Sequence, residues 1–155
     1  MAVFRKAVIN DVETIYSLVN YYAKQGLMLA RSRLSIYENL RDFTLAEDKG
    51  EIVGCGALHI IWADLAEIRS LAIAPHRVKK GWGKCLVELL VEEARNLGVS
   101  RVMALTYQRD FFIKCGFRVV DYNTLPQKAW KDCVNCPKFP NCDEIPVIKD
   151  LTTAM

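Results

Sequence analysis

The sequence predicts one packed domain that mixes strands and helices, of α/β or α+β class. Its 155 residues are enough for a single buried core and too few for two independent ones. A composition 52% hydrophobic and 25% charged is that of an ordinary folded chain, which excludes disorder, collagen-like sequence and coiled coil as global descriptions. Apolar periodicity switches repeatedly between strand and helix spacing, in the order β α α β β β α β α β, with a further strand near the C-terminus.

Residues 3–9 form a short apolar strand carrying Arg5 and Lys6, and Asn10 is placed to cap the helix that follows, with Glu13 at its third position. Val12, Ile15, Tyr16, Val19, Tyr22 and Ala23 keep i, i+3, i+4 spacing until Gly26 closes the run. After a loop rich in Leu, Met and Arg, Ser35 can open a second short helix, with Glu38 completing a capping box; Arg31 and Arg33 flank this entry. Residues 43–46 and 52–61 are strand-like and meet through Asp48-Lys49-Gly50, where the glycine supplies the positive φ of a hairpin. Ala63-Asp64 makes the next turn. Residues 65–74 form a strand with Glu67 and Arg69 on one side, ended by Pro75, which cannot donate to a ladder.

Trp82, Leu86, Leu89, Leu90, Ala94 and Leu97 repeat at helical spacing up to Gly98, in the position of a C-terminal cap. Residues 101–105 read as a buried strand, 110–115 as a short helix stopped by Gly116, 117–120 as a strand and 145–148 as the last strand. Residues 126–143 hold three of the five prolines and three of the six cysteines, and form a long irregular loop within the domain. No internal repeat or linker interrupts residues 1–155, so the whole chain reads as one domain.

Twenty-one Lys and Arg against 18 Asp and Glu leave a net charge of +3, so any anion site is local and neither nucleic acid nor a membrane surface is an expected partner. The longest apolar stretch, residues 54–66, contains His59 and Asp64 and falls short of the roughly 20 residues that span a bilayer. The N-terminus alternates like a strand and has no signal-peptide core, so a cytoplasmic location is expected. In that reducing compartment Cys55, Cys85 and Cys115 read as small core residues. Cys133-x-x-Cys136 followed by Cys142 offers three thiolates for zinc or an iron–sulfur cluster but no fourth ligand, so no metal is expected. His59 and His76 read as structural.

Lys79-Lys80-Gly81-Trp82-Gly83-Lys84 lies between a strand end and the first turn of a helix, where backbone N–H groups and the helix dipole attract anions. The three lysines, with Arg77 just before, add positive charge, and the glycines let a phosphate approach the backbone. A pyrophosphate cradle is expected. The loop is neither a Walker A sequence nor a Gly-x-Gly-x-x-Gly fingerprint.

Leu71-Ala72-Ile73-Ala74-Pro75, followed by Lys80-Gly81-Trp82-Gly83-Lys84-Cys85-Leu86, resembles the acetyl-CoA motif of the GCN5-related N-acetyltransferases (GNAT). Phe111-Phe112-Ile113-Lys114-Cys115-Gly116-Phe117 looks like their downstream signature, in the right order. Within that superfamily, Ala30-Arg31-Ser32-Arg33, Glu67-Ile68-Arg69-Ser70-Leu71-Ala72-Ile73, Leu105-Thr106 and Leu125-Pro126 look like the acetyltransferase domain of the N-acetylglutamate synthases, here as a short form without their amino-acid-kinase domain. The resemblance implies a GNAT fold, with a central mixed, mostly antiparallel sheet of six to seven strands flanked by about four helices.

It also implies an acetyl-CoA-dependent N-acetyltransferase that acetylates the α-amine of a small amino acid, L-glutamate at the entry to arginine biosynthesis, and works as a homodimer without a metal. Another small amine, or a non-catalytic acyl-CoA-binding or metal-sensing domain, are the alternatives. By resemblance, acetyl-CoA is held by Leu71, Ala72, Ile73, Lys79, Lys80, Gly81, Trp82, Gly83 and Lys84, with Phe112. Arg31, supported by Arg33 and Arg69, binds the substrate carboxylate and Glu67 is the general base. Phe112 stands where the family often has its general-acid tyrosine, which leaves Tyr107 as the nearest phenol, and Val78 stands where the family usually has Gln or Arg before its loop.

Overall fold

The computed structural model describes residues 2–78, 81–125 and 144–151. In chain order the elements are β1 (Ala2–Lys6), α1 (Val12–Ala23), α2 (Arg33–Glu38), β2 (Phe43–Asp48), β3 (Glu51–Trp62), β4 (Leu65–Ile73), α3 (Trp82–Asn96), β5 (Arg101–Thr106), α4 (Arg109–Lys114), β6 (Arg118–Val119) and β7 (Ile145–Asp150). The seven strands are hydrogen-bonded in the order β1-β2-β3-β4-β5-β7-β6. The β4–β5 ladder is parallel, and those of β1–β2, β2–β3, β5–β7 and β6–β7 are antiparallel. This is the mixed, mostly antiparallel sheet that the resemblance implies.

Local chemistry explains where boundaries fall, and three expectations are corrected. Asn10 does not cap α1: a 3-10 turn over Ile9–Asp11 intervenes. It forms because the Asp11 carboxylate accepts the Val8 N–H at 2.7 Å and is gripped by both terminal nitrogens of Arg5. Ser35 does not open α2. The helix starts two residues earlier, since the Ser32 hydroxyl accepts the Ser35 N–H at 3.0 Å. Cys85 is exposed, whereas Cys55 is buried and Cys115 half-buried. It immediately precedes the buried Leu86 on α3 and so lies about 100° around the helix from it. The β2–β3 hairpin agrees with its sequence, Lys49 and Gly50 both having positive φ as a two-residue turn requires.

The chain packs as two compact units, one comprising Met1–Leu58 with Ile68–Leu90 and the other His59–Glu67 with Val91–Met155. In the first, α1 buries Val12, Ile15, Leu18 and Val19 against Ile36, Phe43, Leu45 and Cys55. Fully burying each such Leu or Ile contributes roughly 1.5–3 kcal/mol. The start of α3 adds Leu86 against Ala46 and Val53. Gly54 of β3 makes that approach possible, because a Cβ there would lie 2.6 Å from Ile73 Cδ1 and 3.2 Å from Leu86 Cδ1. The Tyr22 hydroxyl donates to the Ile73 carbonyl and fastens α1 to the end of β4.

In the second unit Leu65, Met103, Leu125 and Ile148 form the core. β7 runs along β5 from Arg101↔Asp150 to Thr106↔Ile145. No helix among the described residues is long and apolar enough to cross a membrane.

Candidate functional site

The site is organised around one left-handed residue within β4. Ser70 has φ +54°, in the left-handed region that residues bearing a Cβ enter at a cost of about 1–2 kcal/mol. Such a conformation persists only where surrounding contacts hold it. Two do so, one on its main chain and one on its side chain. The Cys55 thiol donates to the Ser70 carbonyl at 3.4 Å, and the Ser70 hydroxyl accepts from Arg31 Nη1 at 3.3 Å. Burial pushes the Cys55 pKa up to about 12, so it stays a neutral thiol able to donate.

Arg31 is held at every level. Asn20 of α1 fixes its main chain, with Nδ2 donating to the Arg31 carbonyl at 2.9 Å and Oδ1 accepting the Arg31 N–H at 3.3 Å. The Ser35 hydroxyl accepts from Nε at 3.2 Å and from Nη2 at 3.0 Å. Its guanidinium carbon stands 5.2 Å from the centre of the Phe43 ring. The hydroxyls orient the cation, and a planar guanidinium so fixed is suited to a carboxylate.

The other two arginines expected here differ. Arg33 is exposed and gives two hydrogen bonds to the Glu13 carboxylate, at 2.8 and 3.0 Å, over the Tyr16 ring. Its guanidinium holds the Glu13 carboxyl below the ordinary carboxylate range. Arg69 lies half-buried on β4, one residue before Ser70.

At the start of α3, Gly81 has φ +83° and its carbonyl accepts the Cys85 N–H at 3.2 Å, which makes it the residue that opens the helix. The N–H groups of Trp82, Gly83 and Lys84 therefore precede the first intrahelical bond, the arrangement that attracts anions. Trp82 packs on Phe4 with ring centres 6.2 Å apart, and its buried indole Nε1 has no hydrogen-bond partner among the described residues. Leu71 and Ile73 are half-buried and Ala72 buried on the strand before this loop.

Arg77 does not add free charge to the loop as expected. It is clasped by Asp48 at 2.6 Å and Glu51 at 2.7 Å, which fastens the approach to α3 onto the β2–β3 hairpin. His76 joins that cluster through Glu51, in keeping with a structural role. Lys79 and Lys80 of the loop, and the cysteines Cys133, Cys136 and Cys142, lie outside the described residues. Among the described residues no three His, Cys, Asp or Glu side chains gather as a metal site would require.

In the second unit, Glu67 is buried at 6% exposure, opposite Met103 in the parallel β4–β5 register. Tyr107 is half-buried just beyond β5, where the Thr106 hydroxyl accepts the Gln108 N–H at 2.7 Å and turns the chain into α4. Phe112 is buried and packed edge-on to Phe111 and Phe117, so most of its ring surface serves the packing of α4.

Sequence reasoning missed Asn20, Ser35 and Ser70. Asn20 and Ser70 reach Arg31 from 11 and 39 residues away, which no spacing announces, whereas Ser35 is four residues on and reads in the sequence as a helix cap.

Residues 9–117 match the family model described as the acetyltransferase (GNAT) family. An uncharacterized N-acetyltransferase of Chlorobaculum tepidum is 41% identical over 147 residues, covering 95% of this chain and 95% of that protein. An amino-acid acetyltransferase of Mycobacterium tuberculosis is 38% identical over 122 residues, covering 77% of this chain and 70% of that protein. The structure is also similar to that of N-acetylglutamate synthase from Neisseria gonorrhoeae complexed with coenzyme A and N-acetyl-glutamate. The TM-score is 0.88 at 28% identity, over 98% of this chain and 35% of that one.

Proposed function

The chain belongs to the GNAT acetyltransferase family, and from that premise we propose that it transfers the acetyl group of acetyl-CoA to the α-amine of a small amino acid, L-glutamate, the first step of arginine biosynthesis. The observation that carries this reading is the setting of Arg31, a half-buried guanidinium oriented by the Ser35 and Ser70 hydroxyls. A carboxylate-bearing acceptor meets a cation fixed in place there, whereas a simple amine gains nothing from it. The relatives named amino-acid acetyltransferase and N-acetylglutamate synthase support the same class of acceptor.

Acetyl-CoA lies along the backbone of Leu71, Ala72 and Ile73, with its pyrophosphate at the Gly81, Trp82, Gly83 and Lys84 turn and at Lys79 and Lys80. Coenzyme A in the similar Neisseria gonorrhoeae structure supports this cosubstrate. The neutral amine attacks the thioester carbonyl, a C–N bond forms and the C–S bond breaks. Glu67 takes the amine proton, directly or through water, and Tyr107 returns a proton to the departing thiolate. Arg69 supports the substrate carboxylate from β4, while Arg33 stabilises the outer face of α1.

The test is thiol release from acetyl-CoA across a panel of amino acids and simple amines. Glutamate-dependent release is expected. Release with a different amine reassigns the acceptor, and none with any amine points to an acyl-CoA-binding domain without turnover.

A further inference from the structure

Two serines with no role in the chemistry above converge on one guanidinium. Ser35 sits inside α2 yet does not cap it, a task that Ser32 performs. Its hydroxyl instead accepts from Arg31 Nε and Nη2, along one edge of the guanidinium plane. Ser70 accepts from Nη1 and does so from a left-handed backbone that a regular strand residue would not adopt.

We propose that Ser35 and Ser70 are positioning residues that set the orientation of Arg31 and so determine selectivity for an acceptor bearing a carboxylate; this rests on the reading of Arg31 as the substrate anchor. A long arginine side chain free in solvent samples many rotamers, and bidentate recognition of a carboxylate needs one of them. Hydroxyl acceptors at Nε, Nη2 and Nη1 hold Arg31 in such a rotamer. Alanine at either position would lose the acceptor. Threonine at Ser70 would put a β-branched residue in the left-handed region. The Cys55 thiol on the Ser70 carbonyl completes the device, since it holds the bend that turns the Ser70 hydroxyl to Arg31.

The experiment compares Ser35→Ala, Ser70→Ala, Ser70→Gly and Ser35→Thr, each in the native and in the Arg31→Ala background, by saturation with glutamate and with acetyl-CoA. Each loss of a hydroxyl is expected to raise the KM for glutamate about tenfold, the scale for a hydrogen bond to a charged group. The KM for acetyl-CoA should stay in place, Ser35→Thr should restore the native value, and the serine changes should add nothing once Arg31 is gone. Ser70→Gly relieves the backbone and keeps the fold, so the same KM rise with undiminished thermal stability separates the lost hydroxyl from unfolding.

Serine variants that leave the glutamate KM unchanged while Arg31→Ala raises it overturn this proposal and spare the acceptor reading. Rises that persist in the Arg31→Ala background overturn it too. An Arg31→Ala protein with native glutamate KM overturns the acceptor reading itself, and this proposal with it.

Discussion

On the outer face of α1, Arg33 shares two hydrogen bonds with Glu13 in open solvent; two residues earlier, Arg31 lies half-buried against Phe43 and is held by two serine hydroxyls. Solvent and salt screen the first arrangement, and its opposite charges already satisfy each other. In the second, two hydroxyls orient a half-buried cation. Position in the sequence would treat the pair as equivalent. What separates them is burial and the groups seen to hold them, serine hydroxyls at half-buried Arg31 and the Glu13 carboxylate at exposed Arg33. Arg77 sides with Arg33, its guanidinium clasped between Asp48 and Glu51.

The largest effect expected on the reactive side of this contrast is at Glu67, three residues before Ser70 on β4. Glu67→Gln keeps the shape, removes the basic lone pair and should lower turnover by about two to four orders of magnitude. The loss should shrink at high pH, where glutamate already presents a neutral amine. Rate against pH for the folded variant checks this, and a parallel profile with less than about tenfold loss would remove the base assignment.

Gly81→Val comes next. At φ +83° a β-branched residue is strained, although its Cβ would meet no atom within 4 Å, so the damage is to the turn that aims the α3 N–H groups. Acetyl-CoA affinity should fall at least about tenfold while the glutamate anchor is untouched. Titration with acetyl-CoA would show it, and unchanged affinity would move the pyrophosphate elsewhere.

A smaller effect, on stability alone, is expected at Asp11, where a buried acid makes an ion pair on the structural side of the contrast. Arg5 holds the Asp11 carboxyl below its ordinary value of 3.8, against the opposing effect of burial. A lowered folded-state pKa means that the contribution is present above the ordinary value and lost as pH falls through the lowered one. Asp11→Asn should cost about 1–3 kcal/mol near neutrality. Urea unfolding at neutral and acid pH should show that gap closing as the wild-type carboxylate is protonated. A gap that stays constant into acid would show that the charge on Asp11 is not what matters.

Much of the fold was legible because its signals are local. The 3.6-residue spacing of Leu86, Leu90 and Ala94 marks α3, and Lys49-Gly50 marks its hairpin, since each depends on neighbouring residues. Caps were less legible: Ser32, Ser35 and Asn10 are all good capping residues, and Arg5, brought alongside Asp11 by the folding of β1, decides where α1 begins. The loop before α3 was visible as a motif, yet Arg77 within it could not be recognised as spent without knowing that Asp48 and Glu51 lie beside it. Arg31 was recognisable only through its resemblance to a family motif. Its support by Ser70 and Asn20 joins segments whose meeting no periodicity announces.

The most direct measurement sets Arg31→Ala beside Arg33→Ala, each saturated separately with glutamate and with acetyl-CoA. Arg31→Ala should raise the KM for glutamate by one to three orders of magnitude, roughly the scale for removing a buried charge partner, and leave the KM for acetyl-CoA in place. Arg33→Ala should keep both at their native values, with at most a small loss of thermal stability. Equal glutamate KM values in the two variants, whether both raised or both native, would contradict the account.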